Sequence, residues 1–593
     1  MPKLTAVIPS RLNSSNGQSH DLPESHREGV FVTGEEGKVF RNEQFLLAYS
    51  GTPYFQVESS ANDAINEKTA RDLVSLFRRD GCGALSRLKG HFALIIFDRQ
   101  NNQLLAATDR AGVHRLYWHK TEQGNLVIST SLREVRSRCH QGNELSHQAI
   151  YSYIYFHMVP TPLSIHPEIN KLPPATALTG SPQEVSLQTY WKPPFETRSS
   201  AHIDELADQL LQLIEDSTRR SLSESGKNGA FLSGGLDSST IAGMFAKIAP
   251  QQAPTFSIGF NAKAYDETPF ARITASHFQT QHNEYFVTPD DVLDSLPNIV
   301  KSMDEPFGNS SALPAYYCAR LAVDNGITNL LAGDGGDELF AGNKRYATQR
   351  KYSYFNAIPP GLRNKLVTPL ISTLPDAIPY AGKAKRYATQ ANIPLPARLQ
   401  IYNFLNRHPA SEIFSSDFLT SVDDSLPQKL QNGIFQQPEQ ASELDRMLFL
   451  DWHITLADND LRKVSQMCEL AGVNVAYPLL SDELIDFSCL IPDDMKLKGQ
   501  KLRYFYKYAM RNFLPAQTLS KTKHGFGLPF GVWLREYKPL RELAHDTLEK
   551  LKARHYFEKG FIDKAFEMHE QQHASYYGEL IWLMLVLELW LDS

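Results

Sequence analysis

The sequence predicts an α/β protein in two parts: a layered, mainly β N-terminal part, then a doubly wound parallel sheet with extra helices. Three observations predict it. Residues 29–191 carry many short apolar runs separated by polar turns, the spacing of strands in a layered domain. Residues 229–340 instead alternate strand-like and helix-like runs, and repeated β-α units imply a parallel sheet. The third is the stretch 229–240, Gly-Ala-Phe-Leu-Ser-Gly-Gly-Leu-Asp-Ser-Ser-Thr, which reads as a buried strand, a tight turn and the start of a helix.

In the N-terminal part the strand signals are Gly29–Val32, Phe45–Tyr49, Phe92–Phe97, Leu104–Ala107 and Asn125–Ser129. A proline-rich connector, from Pro160 to Pro194, leads to an amphipathic helix over Ile203–Leu222. Ala230–Leu232 is the first strand of the second part, and its helix is expected from Ser238 onward. Pro254–Phe260, Glu284–Val287 and Asn329–Ala332 read as further strands, with helices at Pro269–Phe278, Asp290–Lys301 and Pro314–Asn325. Ligands in such sheets lie beyond the C-terminal strand ends, where Ser233, Gly259 and Gly333 fall. Residues 345–455 are helical and irregular, and Leu580–Leu591 reads as a buried helix too short to span a bilayer.

Composition narrows the function. The 593 residues carry a net charge of −6 with both signs mixed throughout, so no basic stripe calls for nucleic acid and no polybasic segment for a membrane. Cys82, Cys139, Cys318, Cys468 and Cys489 lie far apart, which argues against disulfides and a zinc knuckle and suits a reducing cytoplasm. The N-terminus has no long apolar run and does not read as a signal peptide.

A Gly- and Ser-rich strand-to-helix turn is built for phosphate, because its N–H groups and the helix N-terminus face the ligand. No Lys follows the glycines, so it is not the Gly-Lys-Ser/Thr nucleotide loop. Ser-Gly-Gly-Leu-Asp-Ser resembles the pyrophosphate loop of ATP pyrophosphatases. Leu330–Phe340, Leu-Leu-Ala-Gly-Asp-Gly-Gly-Asp-Glu-Leu-Phe, resembles the matching block of glutamine-hydrolysing asparagine synthetases, class B. Leu88–Asp98 and Asp109–Tyr117 resemble the glutaminase domain of that family, and Lys521–Trp533 resembles its Lys-x-Gly-Phe…Pro…Trp segment. Glu469–Val473 and Tyr477–Asp482 resemble its Glu-x-Arg-x-Pro-Phe-Leu-Asp region loosely.

The resemblance implies a glutaminase-like domain of the N-terminal-nucleophile type over 1–195 and an ATP-pyrophosphatase domain over 196–593. It implies ATP contacts from Leu232, Ser233, Gly234, Gly235, Asp237, Ser238, Ser239, Ile258, Ala332 and Gly333, with Mg²⁺ held by Asp237 and Asp337. Asp334 stands in place of the family's acidic residue at the reaction centre. Counting back from Leu514-Pro515, Arg503 takes the place of a phosphate-facing Lys on a helix, with Lys501 and Lys507 nearby. Asn309 stands where many relatives have Asp.

Two departures concern glutamine. Family glutaminases use an N-terminal Cys as nucleophile, whereas position 2 is Pro2, and Ser50-Gly51-Thr52 replaces Asn-Gly-Glu. The expectation is a retained scaffold without glutaminase activity. The whole is read as an ATP-dependent amide-forming ligase that activates aspartate or a related acid as an acyl-adenylate, with nitrogen from ammonia or an amine. Alternatives are a β-lactam synthetase- or peptide cyclase-like ligase and a non-catalytic nucleotide-binding relative; tRNA thiolases, which need paired cysteines and a basic surface, fit less well. The expected partners are small molecules, with no nucleic acid or membrane and possible homodimerisation.

Overall fold

The computed structural model describes the chain apart from residues 1–2, 10–28, 34–36, 56–62, 140–143, 196–197, 263–264, 376–379 and 522–526. Pro2, part of the Lys521–Trp533 segment and the expected boundary after residue 195 therefore fall outside or beside the described residues.

Two antiparallel sheets stack in the N-terminal part. One runs Asn170–Lys171, Tyr117–Lys120, Leu126–Ser129, Lys3–Ile8, Gly29–Thr33; the other Glu184–Thr189, Thr176–Ser181, Gln103–Thr108, Phe92–Asp98, Phe45–Gly51, Gly37–Arg41. Side chains alternate across the second sheet, as the period of two requires. Ala93, Ile95 and Phe97 fill the layer between the sheets with Leu4, Ala6 and Ile8. Phe92, Leu94 and Ile96 pack outward with Leu73, Val74 and Phe77 of the helix Glu67–Asp80. Both faces of Phe92–Asp98 are covered, so it reads as one apolar run rather than an alternation. On the far side Tyr117 and Val127 join the core around the helix His147–Phe156. The order is helix, sheet, sheet, helix, a layered arrangement as the strand spacing predicted.

The second part is built on a fully parallel sheet. Gln281–Val287, Pro254–Phe260, Asn228–Phe231, Asn329–Leu331 and Asn474–Ala476 lie side by side in that order. The chain reverses its winding between Asn228–Phe231 and Asn329–Leu331, which opens a crevice at their C-terminal ends. Asn474–Ala476 is a fifth strand, three residues long and on the sheet edge, too short for a pattern in the sequence.

The helix after the Ser233 turn starts at Leu236 rather than Ser238, with Gly235 as its N-cap. The closing helix Ala574–Leu591 is long and apolar enough to cross a membrane, but its residues from Leu580 to Glu588 are buried in protein. Tyr153 donates to the Leu583 carbonyl at 2.9 Å and Trp582 to the Gly308 carbonyl at 2.9 Å. Glu588 within it is matched by Arg554 at 2.6 Å.

Candidate active site

The turn after Asn228–Phe231 is closed by its own serines. Ser238 Oγ lies 2.9 Å from Ser233 Oγ and accepts from the Ser233 N–H at 3.1 Å. Gly234 has φ +70°, and a Cβ there would come within 2.4 Å of the Ala271 nitrogen, so only glycine fits. Across the crevice, a Cβ on Gly333 would sit 2.7 Å from the Ser238 nitrogen. The two turns thus touch backbone to backbone at a helix N-terminus, where partial positive charge accumulates.

Asp237 lies in the first turn of Leu236–Ile248, and Asp337 in the first turn of the short helix Gly336–Phe340. Both therefore sit at helix starts, which the macrodipole favours for carboxylates. Their charges converge on Arg503. Arg503 Nη2 donates to Asp237 Oδ2 at 2.7 Å, and the guanidinium also bonds Asp237 Oδ1 and Asp337 Oδ1. The Arg503 side chain is 5 % exposed and lies over the Tyr506 ring. Burial works against its charge, but Asp237 outweighs it and raises the Arg503 pKa.

Arg503 is not on a helix, as its spacing from Leu514-Pro515 suggested. It precedes Tyr504–Ala509 in a left-handed conformation, φ +53°. Such a conformation costs a non-glycine residue roughly 1–2 kcal/mol, and here it turns the side chain onto both carboxylates. Lys501 sits on the hairpin formed by Leu497–Lys498 and Lys501–Leu502, exposed at the rim. Lys507 is half-buried on the same wall, its pKa lowered by burial and by Arg503.

These groups line one cleft of about 1140 Å³. Of the residues singled out in the sequence, Leu232, Ser233, Gly235, Asp237, Ser238, Ile258, Gly333, Asp334, Asp337, Lys501 and Arg503 line it. Gly234 and Ala332 support the turns without lining it. Ser239 is a correction: fully buried, it bonds Thr274 Oγ1 at 3.0 Å in the core. One residue beyond Ser238 is about 100° further round a helix, which turns Ser239 away from the cleft. Asn309 also lies elsewhere, donating to Asn459 Oδ1 at 2.8 Å beneath the closing helix.

Asp334 is pushed up to about 6 by burial, with Asp460 and Asp237 adding to the shift and Lys463 opposing it. Lys463 pairs with Asp460 at 2.8 Å. Burial works against the Lys463 charge, yet Asp460 and Asp334 together raise its pKa. Glu338, at the cleft floor, is pushed up to about 8 by burial and by Asp460 and Asp451. Sequence reasoning missed Lys463 and Asp460, which lie over 120 residues from Asp334 with no local motif. Glu338 was in view inside the Leu330–Phe340 block.

The fold and cleft define a class: a layered amidotransferase-type scaffold joined to a doubly wound α/β domain with a charged cleft at its switch point. Comparison with known proteins narrows it. Residues 209–592 match the asparagine synthase family, and residues 43–191 match the glutamine amidotransferase domain. Asparagine synthetase [glutamine-hydrolyzing] 1 of Bacillus subtilis is 24% identical over 601 residues, covering 99% of this chain and 92% of that protein. A putative asparagine synthetase of Mycobacterium tuberculosis is 24% identical over 573 residues, covering 92% and 84%. The chain belongs to the asparagine synthase family, a family of carbon–nitrogen ligases.

Proposed function

We propose that the cleft couples ATP cleavage to amide formation: a carboxylic acid, aspartate or a related acid, is activated as its acyl-adenylate and then captured by ammonia or an amine. The observation that carries this reading is the meeting of Ser233–Ser238, Asp334 and Arg503 at the C-terminal ends of two adjacent parallel strands.

A carboxylate is a poor electrophile, so its oxygen first attacks the α-phosphorus of ATP. The P–O bond to the β-phosphate breaks and pyrophosphate leaves. The N–H groups of the Ser233 turn, at a helix N-terminus, suit the departing charge. Arg503, permanently protonated, stabilises negative charge on the transferring phosphoryl group. The amine nitrogen then attacks the acyl carbon, the C–O bond breaks, and AMP leaves. The nitrogen must lose a proton, and Asp334, whose pKa burial pushes up to about 6, suits the role of acceptor.

Asp237 and Asp337 approach closely enough to share one guanidinium. Such a pair fits Mg²⁺, which takes one or two carboxylates together with phosphate oxygens. When bound, Mg²⁺ would neutralise phosphate charge during displacement.

Glutamine is not the nitrogen donor in this reading. The Cys82 thiol is raised by burial, which disfavours a thiolate. Gly51, where the family carries Asn-Gly-Glu, packs against the buried His114 ring, whose pKa burial lowers to about 3. A second reading, a β-lactam synthetase- or peptide cyclase-like ligase on a more specialised acid, is favoured by Asn309, which stands where many relatives have Asp.

Pyrophosphate and AMP release with candidate acids and amines tests the proposal. Asp237→Ala should abolish release without unfolding the protein, since the buried Arg503 it leaves behind keeps Asp337 as its partner. Near-normal release by Asp237→Ala would refute the assignment.

A further inference from the structure

Residues 344–407 hold eleven Lys and Arg against a single acid, Asp376, in a chain of net charge −6. Lys344, Arg350, Lys351, Lys365, Lys383 and Arg386 are exposed, and none pairs with a carboxylate among the described residues. The same stretch carries six of the seven large apolar or aromatic side chains exposed among the described residues. Leu362, Leu366 and Leu370 are 48 %, 62 % and 71 % exposed, and Tyr380 is 76 % exposed.

The local fold explains why these leucines stay out. The helical run Pro360–Leu362, Arg363–Val367, Thr368–Ser372 turns Val367 and Ile371 toward a small satellite core of Tyr352, Phe355, Ala388 and Ala391. The leucines, four residues apart, form a second stripe on the same run with none of the described residues covering it. One stripe suffices to dock the helix, so the other is surplus to folding. An exposed apolar stripe set among unpaired cations and flanked by tyrosines is the composition of a segment lying in a membrane interface.

We propose that residues 344–375 and 380–402 present a peripheral docking surface for an anionic lipid bilayer. The leucines enter the acyl boundary, the tyrosines sit at headgroup level, and the lysines and arginines face lipid phosphates. Charge complementarity selects the occupant. It must be anionic and apolar at once, which a bilayer with acidic headgroups supplies. The attachment is peripheral because the one helix apolar enough to span among the described residues, Ala574–Leu591, is committed to the core. Lys344, Thr348 and Lys351 of the same segment also line the cleft, so docking would set the cleft mouth close to the lipid surface.

Cosedimentation of the full chain with vesicles tests this. Vesicles of phosphatidylglycerol and phosphatidylcholine in equal parts should retain the protein at least about tenfold better than phosphatidylcholine alone, less so as salt rises. Replacing Leu362, Leu366 and Leu370 together by Ser should weaken retention by about tenfold or more. Each of Lys365→Gln, Lys383→Gln and Arg386→Gln should lower it about fivefold. All six positions are exposed and outside the cleft, so circular dichroism and pyrophosphate release should stay unchanged. Equal retention on neutral vesicles, or wild-type binding by the leucine variant, would overturn the proposal. So would no retention on anionic vesicles, which would leave the face to an acidic protein partner.

Discussion

Removing the Arg503 side chain tests how the site balances its charges. In Arg503→Ala, Asp237 and Asp337 lose the cation between them. Breaking a fully buried pair costs about 3–5 kcal/mol. The Asp237 and Asp337 side chains are 21% and 15% exposed, so water recovers part of that, and a loss of about 2 kcal/mol is expected. Ala keeps the left-handed backbone cost that Arg bears at φ +53°, whereas Gly removes roughly 1 kcal/mol of it. Arg503→Gly should therefore melt above Arg503→Ala although both lack the charge. Catalysis should fall in both by on the order of 10²–10³, the usual loss for one charge-stabilising donor. Arg503→Lys should be intermediate, because one ammonium cannot reproduce a fork that engages two carboxylates. Thermal melting and steady-state pyrophosphate release read the two effects separately. Alanine and glycine variants within threefold of wild-type rate would refute the role of Arg503.

Other expectations follow from the site's acids and the N-terminal scaffold. Asp334 must be ionised to accept a proton, so amide formation should fall as pH drops through about 6. Lys463→Met should move that inflection upward, and an unmoved profile would remove Asp334 as the base. Glu338 has a folded pKa of about 8 against an ordinary 4.5. Its stabilising contribution is complete below about 4.5 and lost as pH rises through 8. Glu338→Gln should thus match wild type in melting temperature at low pH and exceed it above pH 8; a constant difference across that range would contradict the buried acid. Incubation with glutamine and ATP should yield no sustained glutamate, and multiple turnovers lost on mutating an N-terminal residue would show an active glutaminase.

The phosphate turn was legible because glycine, serine and aspartate there obey local rules. Gly234 must be left-handed, the serines close the turn, and Asp237 sits at a helix start. The parallel sheet was legible because strands and helices alternate over more than a hundred residues. What was hidden depends on geometry between distant segments. Nothing local marks Arg503 as left-handed or says that it lands between Asp237 and Asp337, 266 and 166 residues away. Ser239 was assigned to ATP by its neighbours, yet the earlier helix start rotates it toward Thr274. Asp460 and Lys463 become site residues only when the helix Leu461–Ala471 packs beside the Gly333 turn. The basic stretch 344–407 vanished in a chain-wide average of mixed charge, and only burial showed that its leucines face outward.

The central claim, that a carboxylate oxygen attacks the α-phosphorus of ATP in the cleft between Ser233 and Gly333, is tested most directly by oxygen transfer. The accepted acid, labelled with ¹⁸O in its carboxylate, is incubated with the protein, ATP, Mg²⁺ and ammonia or the amine, and the products are weighed by mass spectrometry. The account predicts one labelled oxygen in AMP for each amide formed, with unlabelled pyrophosphate. Label in inorganic phosphate with ADP as product, or AMP free of label, would contradict it.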